Sequence, residues 1–228
     1  MSDPFSAVVA MGVLFLLITL GCLMALVKRR RDGPEPWDWM DAGLVLLFMM
    51  SVPNLAYCVF YAWTGRDEGI FVPLMLFGTF GAVSTIGAVF LRATPGDLGL
   101  NRWVTKMFVL GVVLVLPFMI LAAGWTVLIE SLVGPQPDQA IVDTLRSTNR
   151  SQEQAVGLFY AVLIAPIAEE IVFRGFIQGA LMRSMSVPLA IFGSSVIFGA
   201  SHFVDPITVV PLTLMGGCLG WLRWKSGS

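Results

Sequence analysis

Apolar runs separated by short polar breaks dominate this chain from end to end. Seven segments read as membrane-spanning helices, at about 6–27, 40–62, 70–91, 107–130, 153–183, 188–204 and 206–222. Most approach the roughly 20 apolar residues that a helix needs to cross a bilayer. The breaks carry the turn and charge signals expected between spans: "KRRR" after the first, "WTGRDEG" after the second and "ATPGDLGLNRW" after the third. The longest polar stretch, at 131–154, includes "GPQPDQAIVDTLRSTNRSQEQ". There Asp138 could cap a short amphipathic helix with Ile141, Val142 and Leu145 on one face. The expected fold is therefore all-α: a polytopic transmembrane bundle of about seven spans.

Composition agrees. Of 228 residues, 57% are hydrophobic and only 13% charged, and the mean hydropathy is +0.82. That is about half the charge of a soluble domain. Nothing points to nucleic acid. The three cysteines, Cys22, Cys58 and Cys218, lie in apolar segments and read as packing residues, not a disulfide framework. "MSDPF" carries no basic residue ahead of the first apolar run, so that run reads as a retained helix.

Alternating the spans places Lys28, Arg29, Arg30, Arg31, Arg92, Arg102, Lys106, Arg174, Arg183, Arg223 and Lys225 towards one face. Only Arg66, Arg146 and Arg150 fall towards the other. The bias predicts an integral protein of a plasma membrane, its N-terminus outside and Ser228 inside. Trp37, Trp39, Trp103, Trp221 and Trp224 gather near the inner interface, as an aromatic belt would.

Against this apolar background, "AEEIVFRGFIQGALMR" at 168–183 stands out. Charges inside a membrane helix are costly and need partners or a function. Glu170 and Arg174 are four apart, share a helix face and can pair. Glu169 is turned about 100° away and must look elsewhere. The sole histidine, His202, lies in the next apolar segment. The turn signal "SMSVP" separates the two, with Glu169 and His202 equally far from its centre. At 1.5 Å per residue both sit about 24 Å from the turn, so an antiparallel hairpin would bring them to one depth. A poorly solvated carboxylate is a plausible general base for water, with an imidazole as acid or oxyanion donor. Alternatively Glu169 and His202 could be two ligands of a zinc ion, although a catalytic zinc usually takes three protein ligands.

"EEIVFRG" fits a Glu-Glu-x-x-x-Arg motif and "FGASH" a Phe-x-x-x-His motif, in the order and on the successive helices of one family. Residues 151–228 resemble the CPBP intramembrane proteases, which include the CAAX prenyl proteases and the bacteriocin-processing, Abi-type proteins. The phrase "TPGDLGLNRW" is similar to one often found before that core. The resemblance implies that Glu169 activates the attacking water, that Glu170 and Arg174 support it, that His202 is an essential histidine and that Phe198 packs one turn below. It implies an endopeptidase acting on a membrane-associated protein or peptide, with zinc or with glutamate alone. The family also carries a His-x-x-x-Asn or His-x-x-x-Asp motif on a later helix, and this chain has no second histidine. It therefore reads as incomplete at its C-terminal end, and inactive if nothing follows. The alternative function is a non-enzymatic immunity or partner protein, or a transporter, in which the buried ionisable groups mark a partner site or ion path.

Overall fold

The computed structural model describes residues 4–28, 37–65, 81, 96, 105–135, 151–203 and 205–227. Among these, all regular structure is helical. In chain order the elements are α1 (Pro4–Lys28), α2 (Trp39–Thr64), α3 (Thr105–Val133) and α4 (Ser151–Phe159), then the π-helix π1 (Tyr160–Ile164) and α5 (Ala165–Glu169). A second π-helix, π2 (Glu170–Gln178), leads to α6 (Gly179–Ser184), α7 (Val187–Ala200) and α8 (Pro206–Ser226).

Four helices are long and apolar enough to cross a membrane: Ser6–Leu26, Trp39–Thr64, Val109–Val133 and Pro206–Ser226. Most of their large apolar side chains are exposed, as Leu17, Val59, Leu116 and Val127 show, which suits hydrocarbon rather than water. The expected seven spans are thus met by four among the described residues. The segment 70–91 and the polar stretch with its amphipathic helix at 138–145 fall largely outside them. The segment 153–183 is helical throughout but changes helix type four times. The sixth apolar segment makes a helix of only 14 residues, about 21 Å long, short of a full crossing.

The chain divides into two compact units, Met1–Arg92 with Gln139–Val172, and Ala93–Asp138 with Phe173–Ser228. In the first unit α1 and α2 pack antiparallel. Gly12 meets Cys58, where an added Cβ would lie 3.0 Å from the cysteine Cβ, and Thr19 Oγ1 donates to Ser51 Oγ at 2.9 Å. A small residue and a polar pair are what hold helices together where lipid is no worse a solvent than the partner helix. Asp38 caps α2 by accepting from the Met40 and Asp41 amides, and the Asp41 carboxylate returns the bond to the Asp38 amide. Gly65 ends α2 in the left-handed region, φ +64°.

In the second unit α7 and α8 form a hairpin built on small residues. Added Cβ atoms would meet the Val209 carbonyl at Gly199 (2.7 Å), Ser195 Cα at Gly216 (3.1 Å) and Ile191 Cγ2 at Gly220 (3.2 Å). These contacts step along both helices in opposite directions, turn by turn, and Gly216 and Gly220, four apart, form a close small-residue helix contact. Helix α3 runs antiparallel to α8: Gly111 lies beside Leu222, and the Trp125 indole N–H donates to the Ile207 carbonyl at 2.8 Å. That carbonyl would ordinarily bond the amide four residues on, but Pro211 has none. The indole supplies the missing donor, as an apolar surrounding demands.

Two side-chain expectations change. Trp37 is buried, not at an aromatic belt, whereas Trp39, Trp221 and Trp224 are exposed. Cys22 and Cys58 are buried as packing residues, but Cys218 is exposed.

Candidate active site

The segment with the paired carboxylates is not one regular helix. Pro166 cannot donate to the carbonyl four residues back, and its ring would strike that carbonyl. The preceding turn widens instead: π1 shifts the bonding to i→i−5, with the Ala165 amide on the Tyr160 carbonyl. α5 then carries Pro166 in its first turn and ends at Glu169. A second wide stretch, π2, begins at Glu170 and holds Arg174 and Gln178. Such widenings inside α-helices recur at functional sites. Because the wide turn advances less per residue, the equal-depth spacing of a regular α-helix holds only approximately here.

Glu169 and Glu170 are half-buried and belong to the first unit. Arg174, Phe198 and His202 belong to the second, where they converge. The Arg174 guanidinium carbon sits 4.6 Å from the Phe198 ring centroid, over its face, and Arg174 is only 3% exposed. Phe173 meets Phe198 edge-to-face at 5.0 Å. His202 meets it edge-to-face from the other side of the sequence, at 5.1 Å. One aromatic ring thus joins the arginine of the first motif to the histidine of the second, through a cation–π contact and a T-shaped contact.

The turn between the two motifs falls at Met185–Ser186, where the sequence placed it. Phe173 is twelve residues before Met185 and Phe198 twelve after Ser186, so the contact between them has the symmetric register of that hairpin. His202, however, is not inside the apolar helix. α7 ends at Ala200 and His202 lies in the turn that follows. Its ring is oriented there by the backbone: Nδ1 is 3.0 Å from the Phe198 carbonyl and 3.2 Å from Ser201 Oγ, whose own proton goes to that same carbonyl at 2.7 Å. A carbonyl can only accept, so Nδ1 carries the hydrogen and Nε2 is the nitrogen that can take a proton.

Asp205 occupies the cap position of α8, yet its side chain makes no capping bond. Thr208 Oγ1 donates to the Asp205 carbonyl instead. Gln178 is fully buried one π-turn beyond Arg174 and donates through Nε2 to the Gly220 carbonyl at 2.9 Å. Sequence reading passed over Phe173 and Gln178. The available signals were the symmetric spacing of Phe173 about the turn and a lone amide in an apolar run.

Among the described residues, no three His, Cys, Asp or Glu side chains gather where they could hold a metal ion. Those residues do not make up the three-ligand set of a catalytic zinc.

These apolar helices define an integral membrane protein. A family model described as "Rce1-like: Type II CAAX prenyl endopeptidase Rce1-like" matches residues 151–228, the segment that carries both motifs. No curated protein and no solved structure matches the chain.

Proposed function

We propose that this protein is an intramembrane endopeptidase that hydrolyses a peptide bond in a membrane-associated protein or peptide of the CAAX type. The observation that carries the reading is the convergence of Arg174 and His202 on Phe198, which ties the cores of both motifs into one unit. Glu169 is the general base. It takes a proton from water as the oxygen bonds to the scissile carbonyl carbon, and the carbonyl electron pair moves onto its oxygen. When the C–N bond breaks, the proton held by Glu169 passes to the departing amine. His202, with Nδ1–H fixed on the Phe198 carbonyl, accepts a hydrogen bond from the attacking water through Nε2 and so orients it for Glu169. Glu170 and Arg174 support the base, and the Phe198 face holds the guanidinium in place. Glu169 can act alone, or Glu169 and His202 would be two ligands of a zinc ion that lowers the pKa of the water. A metal analysis of the purified protein separates the two forms, one bound zinc per chain selecting the second.

The test is cleavage of a fluorogenic prenylated CAAX peptide by the protein in proteoliposomes. Glu169→Gln should lower the rate by roughly 100-fold or more, the share usually carried by a general base, with the thermal midpoint unchanged. Wild-type rates from Glu169→Gln would defeat the assignment. If the wild-type protein cleaves nothing while still binding a membrane partner, the non-enzymatic reading replaces it.

A further inference from the structure

Helices α7 and α8 enclose, on one side of their hairpin, an apolar groove of about 480 Å³ that the proposed chemistry does not use. Val187, Ile191 and Phe192 form one wall and Leu214, Trp221 and Trp224 the other. A volume of this size suits a small molecule or a single chain, not a folded segment. Its two hydroxyl residues offer no available donor: Ser195 donates to the Ile191 carbonyl and Thr213 to the Val209 carbonyl. The groove is therefore built for hydrocarbon, and α8, which lines it, is long and apolar enough to cross a membrane.

The two ends of the groove differ. At the Val187 and Trp224 end lie Arg183 in the last turn of α6, and Arg223 and Lys225 in the last turn of α8. Lys106 joins them, because α3 runs antiparallel to α8 with Gly111 beside Leu222. Lys225 Nζ lies 4.5 Å from the Trp224 ring centroid, so a cation stands directly at the mouth. Residues 171–204 and 206–228 contain no Asp or Glu. In α3, the helix packed on α8, Glu130 lies near the opposite end, beyond Trp125 and its bond to Ile207. An apolar slot that opens between tryptophans into a cluster of cations has the polarity of one ligand class.

We propose that this groove binds a single anionic phospholipid, its acyl chain lying between α7 and α8 and its headgroup phosphate at Lys225. Tryptophans at the mouth suit the headgroup level, and each nearby basic residue strengthens attraction to an anionic lipid. The site is independent of the proteolytic reading and would stand without it.

The protein purified in detergent, titrated with phosphatidylglycerol or phosphatidylcholine and followed by native mass spectrometry, tests the proposal. One phosphatidylglycerol per chain should be retained, with an affinity about fivefold or more above that for phosphatidylcholine, the order expected from one basic contact. Gly217→Leu should abolish retention. A Cβ at Gly217 meets only Ser195 Oγ, at 3.8 Å, so the larger side chain enters the groove without striking backbone. Lys225→Gln, at an exposed position, should remove the preference for phosphatidylglycerol while circular dichroism stays unchanged. Equal retention of both lipids by the wild-type protein would overturn the proposal. So would undiminished binding by a folded Gly217→Leu, or an undiminished preference in Lys225→Gln. Displacement of the lipid by a prenylated peptide, in a manner that Gly217→Leu also blocks, would assign the groove to substrate and likewise overturn it.

Discussion

The guanidinium of Arg174 lies 4.6 Å from the centre of the Phe198 ring, and the same ring touches His202. Phe198 is thus the common support of two ionisable side chains that come from different motifs. Its backbone carbonyl adds a second hold on His202, through Nδ1. Side-chain replacement can therefore remove one support and leave the other.

Phe198→Leu keeps apolar bulk and the carbonyl but removes the aromatic face. The lost cation–π contact is worth about 2 kcal/mol at a desolvated site. We expect a fall of several degrees in thermal midpoint and a fall in cleavage of about tenfold or more, because both side chains lose their alignment. Phe198→Tyr keeps the face and should stay close to wild type in both measurements.

Gly199→Ala should be far more damaging than an alanine elsewhere in α7. The new Cβ would collide with the Thr213 hydroxyl and lie 2.7 Å from the Val209 carbonyl oxygen. Overpacking of this kind costs about 1–3 kcal/mol. Thr213→Ala relieves only the hydroxyl clash, so the double variant should recover part of the lost stability in a denaturant titration. Full recovery would show that the backbone contact is not limiting.

Trp125→Phe leaves the Ile207 carbonyl without its indole donor, and Pro211 offers no amide to replace it. The expected cost is about 1–3 kcal/mol. Pro211→Ala restores an amide four residues on, and in that background Trp125→Phe should become nearly neutral. A double-mutant cycle on unfolding in mixed micelles measures the coupling.

Gly220→Ala would bring a Cβ within 2.9 Å of Gln178 Oε1, an acceptor that is buried without a hydrogen bond. Gln178→Met removes that acceptor at the loss of the bond to the Gly220 carbonyl, so alone it should change stability little. A flexible thioether can also move aside for the new methyl group. The double variant should therefore be more stable than the sum of the singles predicts, by about 1 kcal/mol.

Much was legible in the chain without its fold. Apolar runs of about 20 residues announce membrane helices, because only a helix satisfies the backbone of such a run in lipid within the run itself. The turn at Met185–Ser186 was readable from its residue types and fixed the register that brings Phe173 and Phe198 together. The two motifs were readable as motifs. The pairing of Pro166 with a widened turn was not, because a 3.6-residue period cannot show where a helix changes to i→i−5 bonding. Nor could hydropathy show that α7 stops at Ala200 and leaves His202 in a turn, since the apolar pattern continues past the last helical bond.

What the sequence by itself determined is which residues are too costly to bury without a purpose, and roughly how far each lies from the turn. Only the tertiary structure decided that Arg174 and His202 share one aromatic ring, that an indole from α3 replaces the amide missing at Pro211, and that α7 and α8 leave an apolar groove ending in cations. The reason is physical: composition and spacing fix local conformation and burial preference. Which side chains meet depends on close packing between elements far apart in the chain, where a single glycine sets the distance.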